Sequence, residues 1–187
     1  WATNSEQFYY SYLIGWAFCL SITIGAYFFV VIQHLTKARW SVVIRRIPEA
    51  LIWSFPLLAV LSIPILLGMH DLYHWTHHDL FDPASANYDP VIAGKEAYLN
   101  TPFFLARFAF YFLSWTWISY KLYTLSVRQD NDPHPEIAPK QRKYAAIGLA
   151  LGAITTAFAA FDILMSLDPH WFSTIFGIYF FAGSFMI

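Results

Sequence analysis

Cysteine is nearly absent from this chain of 187 residues. With Cys19 as its single thiol, the chain can form no internal disulfide. It cannot by itself ligate an iron–sulfur cluster, which needs several thiolates, and it has no Cys-x-x-Cys-His haem attachment. Charge is scarce as well. Only 12% of residues are charged and the net charge is −1, too little for an ordinary soluble surface and no basic footprint for nucleic acid. Histidine is missing from the middle of every long apolar run, His34 and His70 falling at run ends, which excludes the paired mid-helix ligands of a membrane b-type haem. No short apolar stretch is followed by a small-residue cleavage site, so no signal peptide is read.

What the chain has in abundance is apolar surface: 58% hydrophobic and 20% aromatic residues. Four apolar runs, about 8–33, 49–69, 102–125 and 144–167, each reach the ~20 residues a helix needs to cross the hydrocarbon core. A fifth begins near 172 and is incomplete at 187. Helices are the expected spanning element, because lipid offers the backbone no hydrogen bonds. The expectation is therefore an all-α integral membrane protein, a polytopic helix bundle. Residues 1–187 would form one transmembrane domain, a four-helix bundle plus the start of a further helix. Both ends read as internal to a longer chain, with a further helix upstream.

The connections differ in charge. Lys37, Arg39, Arg45 and Arg46 follow the first run, and Arg128, Lys140, Arg142 and Lys143 follow the third. The connection 70–101 holds one basic residue, Lys95, against Asp71, Asp79, Asp82, Asp89 and Glu96. By the positive-inside rule, loops 34–48 and 126–143 are expected on the cytoplasmic side of a bacterial inner membrane, with loop 70–101 and the turn 168–171 periplasmic. Pro56 and Pro64 should kink the second run. Gly148 and Gly152 give the fourth a small-residue face for close helix contact. The Pro-rich stretch 128–140 reads as a surface linker.

Chemistry could reside in a few places. Asp162 lies inside an apolar run, where charge is costly and faces protein or a proton or ion path. Arg107 and Asp162 each lie about five residues from the same end of consecutive antiparallel runs, ~8 Å below the surface at helical rise. They are expected to pair, since an unpaired charge there is strongly unfavourable. If they pair, Asp162 serves structure; if not, it is a proton-path candidate together with Asp168 and His170. Asp168 and His170 flank Pro169 in a turn where a histidine near neutrality suits proton exchange, or where Trp171 simply anchors the interface. Lys95, Glu96 and Tyr98 are candidates to line a vestibule. His70, His74, His77 and His78 carry the spacings of membrane di-iron boxes, but such enzymes use more histidines from several loops. No native metal site is expected, and the alternative of a free-standing metalloenzyme rests on this cluster alone.

Three stretches carry a resemblance. One is Ile32-Gln33-His34-Leu35-Thr36 with Ala38-Arg39-Trp40-Ser41 and Arg45-Arg46. Another runs from Asn87-Tyr88-Asp89-Pro90 through Ala93-Gly94-Lys95 and Tyr98-Leu99-Asn100 to Pro102-Phe103-Phe104 and Arg107. The third is Phe161-Asp162, then Met165-Ser166-Leu167-Asp168-Pro169-His170-Trp171-Phe172-Ser173-Thr174 and Phe176-Gly177. Together they resemble the F-subunit family of bacterial alternative complex III, a quinol:cytochrome c oxidoreductase, which is similar to the NrfD-like membrane subunits of polysulfide reductase. The resemblance implies a larger protein of two four-helix bundles within a complex that oxidises quinol. Electrons would pass to cytochrome c or an oxidase through iron–sulfur clusters and c-type haems. Those cofactors would sit in partners: an iron–sulfur subunit and multihaem and monohaem cytochrome c subunits. A homologous NrfD-like C subunit would be the likelier home of the working quinol site. This chain would bind none of these cofactors, contributing scaffold and a proton route or a menaquinone contact, with Asp162, Asp168, His170 and Arg107 as the matching positions.

Overall fold

The computed structural model describes residues 5–38 and 40–187; Arg39 of the basic loop and residues 1–4 lie outside the described residues. The chain is 78% helical and has no strand among the described residues. It is an all-α protein with helices of membrane type. Helix α1 spans Ser5–Thr36. The second run is a chain of short helices, α2 (Arg46–Leu51), a 3₁₀ turn (Ile52–Ser54), α3 (Phe55–Leu61) and α4 (Ile63–Leu67). The connection that follows carries α5 (Met69–Leu72) and α6 (Pro90–Ala93). Helices α7 (Thr101–Asn131), α8 (Ile137–Ile163) and α9 (Phe176–Met186) complete the fold.

Three of these segments, Ser5–Thr36, Arg46–Leu67 and Ile137–Leu167, are long and apolar enough to cross a membrane. The expected third span, 102–125, falls within helix α7, which is less uniformly apolar than these three. Helix α7 has the length, 31 residues, but its apolarity is diluted by Arg107, Lys121 and a run of Ser, Thr, Tyr and Trp. Its buried positions, Phe104, Phe108, Tyr111, Trp115, Ile118 and Leu122, follow the three-and-four spacing of one helix face. The fifth run also differs: residues 172–175 are not helical, and α9 begins only at Phe176. The linker shrinks to 132–136, because helix extends to Asn131 and resumes at Ile137.

The prolines do more than bend the second segment. Pro56 and Pro64 each occupy the first turn of a new short helix, where a missing N–H is not needed. Carbonyls in this broken stretch gain side-chain donors from α1: Trp16 Nε1 donates to the Leu58 carbonyl at 2.9 Å and the Tyr12 hydroxyl to that of Leu61 at 2.8 Å. This is how interrupted backbone is tolerated at membrane depth.

The centre is aromatic. Trp16 stacks on Phe108, Phe108 meets Phe112, and Phe112 meets Trp115 edge-on. Phe55 joins Trp115 to Tyr27. Tyr27 fills the groove left by the small residues of α8. Its hydroxyl donates to the Gly148 carbonyl at 2.8 Å, and a Cβ at Gly152 would come within 2.6 Å of its ring. Gly25 of α1 abuts the backbone of Ser184 in α9, and Gly177 of α9 that of Ala157 in α8. Helix α8 is thereby the hub against which α1, α7 and α9 pack.

Candidate functional site

Arg107 and Asp162 are brought together. The guanidinium grips the carboxylate with two hydrogen bonds, Nε to Oδ2 at 2.7 Å and Nη2 to Oδ1 at 3.1 Å. Bidentate geometry of this kind is both strong and directional. The Tyr111 hydroxyl, one helical turn along α7, adds a third bond to Oδ2 at 2.6 Å. Asp162 is 1% exposed, so its charge is compensated wholly by protein. The guanidinium lies 3.9 Å from the centre of the Tyr98 ring and 4.2 Å from that of Phe103, and its Nη1 donates to the Tyr98 carbonyl at 3.1 Å. Cation–π contact with these two rings adds to the pair.

One partly buried cation therefore ties three elements: α7, the end of α8, and the segment leading into α7. The Tyr73 hydroxyl donates to the Ile163 carbonyl at 3.0 Å, joining the 70–101 connection to the same end of α8. Burial, and then the Asp162 charge, raise the Tyr98 phenol above its ordinary pKa, so it stays protonated.

Beside the pair lies a cavity of about 680 Å³ between the 91–99 segment and residues 161–172. Phe161, Met165, Trp171 and Phe172 make its walls apolar, with Lys95, Tyr98 and His170 as polar neighbours. Of the vestibule candidates, Lys95 and Tyr98 line this cavity; Glu96 is exposed and does not. Lys95 Nζ donates to the Pro169 carbonyl. His170 Nε2 meets Asp89 Oδ2 at 2.6 Å, a partner the sequence reading did not name. Its backbone N–H donates to Asp168 Oδ1 at 3.1 Å, while the two side chains stand 3.9 Å apart. Asp89 also caps α6 through the N–H groups of Val91 and Ile92. Partial desolvation pushes its carboxyl up, but those N–H bonds and His170 outweigh it and hold the pKa below the ordinary value. The turn 168–171 is thus latched onto the long connection.

The histidine cluster does not converge. The His70 and His77 rings stack with centroids 4.0 Å apart, and His77 Nε2 is turned to the His70 carbonyl at 3.1 Å. Among the described residues, no three His, Cys, Asp or Glu side chains are placed to hold a metal ion.

A second buried carboxylate, at the opposite end of the bundle, was missed. Glu49, 1% exposed, meets Arg45 at 3.1 Å and Arg46 at 3.0 Å. It accepts from the Ser126 hydroxyl at 2.7 Å and lies 3.7 Å from His34 Nε2. Arg46 also bonds Asp130 on α7. The signal was present: Arg45 and Arg46 stand four and three residues before Glu49, the spacing of helical neighbours, at the head of an apolar run. No model of a known protein family matches this chain, and no curated protein is significantly similar to it.

Proposed function

We propose that this chain is a membrane-embedded scaffold subunit of a respiratory quinol-oxidising complex, in the position of the F subunit of alternative complex III. Membership rests on the three motif stretches named above, and two of them converge here. Arg107 and Tyr98 come from one stretch and Asp162 from another, and they build a single ion-pair cluster. The scaffold role rests on one observation, the bidentate Arg107–Asp162 pair closed by Tyr111. A carboxylate engaged by three donors is committed as an acceptor and is not poised to pass a proton. At the other end Glu49 is held by Arg45, Arg46 and the Ser126 hydroxyl.

In such a complex, electrons would move from quinol to cytochrome c or an oxidase through iron–sulfur clusters and c-type haems on partner subunits, since this chain has one thiol. The apolar and aromatic lining of the 161–172 cavity fits the ring and isoprenoid tail of a quinone, with Lys95 and His170 at hand for its polar groups. A quinone would be bound and oriented there, shielded from water by Trp171 and Phe172. The setting is the bacterial cytoplasmic membrane, with loops 34–48 and 126–143 inside and 70–101 and 168–171 in the periplasm.

Mass spectrometry of the proteins that co-purify from native membranes in mild detergent tests membership. Multihaem cytochrome c and iron–sulfur partners are expected. A chain that purifies alone with stoichiometric iron, and loses activity on His74→Ala, would overturn the proposal in favour of a free-standing metalloenzyme. Asp162→Asn tests the scaffold role. Weakened assembly is expected, whereas a fully assembled complex with lost proton coupling would make Asp162 a proton carrier.

A further inference from the structure

The apolar cavity between the 91–99 segment and residues 161–172 has on its wall one ring whose hydrogen is fixed from behind. His170 lines the cavity, and its Nε2 meets Asp89 Oδ2 at 2.6 Å. An ionised carboxylate only accepts, so Nε2 carries the hydrogen. In the neutral ring the lone pair then lies on Nδ1, because the bond made by one nitrogen decides the state of the other. Nδ1 stands 3.9 Å from Asp168 Oδ1, beyond hydrogen-bond length, and is left for a ligand.

Asp89 is itself held in place. Its Oδ1 accepts from the Val91 N–H at 2.8 Å and from the Ile92 N–H at 3.2 Å, which reserves Oδ2 for the imidazole. The backbone around the ring is fixed as well. The His170 N–H donates to Asp168 Oδ1 at 3.1 Å, and Lys95 Nζ donates to the Pro169 carbonyl. The acceptor nitrogen therefore meets a ligand already oriented, with little freedom to lose on binding.

We propose that His170, oriented by Asp89, makes this cavity selective for the reduced form of a quinone, its Nδ1 accepting the hydrogen of one hydroquinone hydroxyl. The inference rests on the reading of the cavity as a quinone site. A hydroquinone offers an O–H at that point. The oxidised ring offers a carbonyl, whose lone pairs face the Nδ1 lone pair with no hydrogen between them. Ring and tail are otherwise alike, so one hydrogen bond separates the two forms, about tenfold in affinity. Asp89 is a positioning residue, which touches the histidine and not the ligand.

The test uses the protein purified in detergent under nitrogen, with the partners that accompany it. Durohydroquinone is titrated into the fully reduced sample and duroquinone into the oxidised one, so that no electron moves. Dissociation constants are read by calorimetry. The wild type is expected to bind the hydroquinone about tenfold tighter. His170→Phe keeps a ring in the wall and should bring the two constants together. Asp89→Asn is the sharper variant. Its amide oxygen can keep the bonds to Val91 and Ile92, so its NH₂ group faces Nε2 and donates. The ring hydrogen then moves to Nδ1, and the preference should invert in favour of duroquinone. Equal affinities in the wild type, or a preference that both variants leave unchanged, overturn the role of His170. An azidoquinone photolabel tests the cavity separately. Label within 91–99 or 161–172 together with equal affinities sinks the selectivity alone, whereas label absent from both stretches removes the quinone site and the proposal with it.

Discussion

Arg107 and Asp162 stand 55 residues apart in sequence and 2.7 Å apart in space, so neither has a meaning without the other. Removing one partner of a buried pair strands the second charge, at a cost of about 3–5 kcal/mol. Asp162→Asn and Arg107→Met should each lower stability by that order, measured by thermal unfolding in detergent. The double replacement with Leu at 162 and Met at 107 should cost much less than the sum, because no charge is left unpaired. Additive losses would refute the coupling. Tyr111→Phe removes one charge-assisted bond while keeping the ring, and about 1.5–3 kcal/mol should be lost. Asp162 and Arg107 were legible in the sequence because charge inside an apolar run stands out and matched depth restricts partners. Tyr111 was not, since a tyrosine one turn from an arginine looks like any other aromatic of α7.

Among the elements, α8 decides the packing, and it does so through residues that lack side chains. A Cβ at Gly152 would lie 2.6 Å from the buried Tyr27 ring, and one at Gly148 would lie 2.8 Å from Ile118 Cγ2. Gly152→Ala should therefore destabilise by roughly 1–3 kcal/mol through overpacking. At Gly183 in α9 nothing stands within 4 Å, and alanine there should be neutral or stabilising by up to ~1 kcal/mol. Melting temperatures of the two variants in the same detergent check the contrast, and equal responses would contradict the packing described. The small-residue face of α8 was legible in the Gly148–Gly152 spacing. Its occupant was not, because any of several aromatic side chains on α1 could fill such a groove. Helix α7 is less uniformly apolar than the other long segments, because Arg, Lys and hydroxyl residues interrupt its phenylalanines.

For the whole molecule, the long connection 70–101 is a cap on one end of the bundle, held by Tyr73, Lys95, Arg107 and the Asp89–His170 contact. Because the Asp89 pKa is depressed in the folded state, its stabilisation is fully present above the ordinary carboxylate value of about 3.9. It is lost as pH falls through the lower folded value. Asp79, lowered chiefly by its hydrogen bond from Asn87, acts in the same direction. Hydrogen exchange in residues 82–98 should accelerate as pH is lowered below about 4, once corrected for intrinsic rates. Asp89→Asn, which keeps the cap on α6 but not the charge, should loosen the latch at neutral pH and flatten that acid response. An unchanged acid response in the variant would mean that the cap is held without Asp89.

Local composition alone determined that this chain is helical and apolar and that its connections alternate in charge. It also placed a cation and an anion at matching depth, because the cost of unpaired charge in an apolar layer leaves few arrangements. Tertiary structure decided the rest. Only packing shows that Asp162 is fully engaged, that Asp168 and His170 belong to a surface latch, and that Glu49 is buried. Each of these depends on which side chains from distant elements arrive at the same point, and hydrogen-bond partners separated by fifty or more residues leave no periodic trace in the chain.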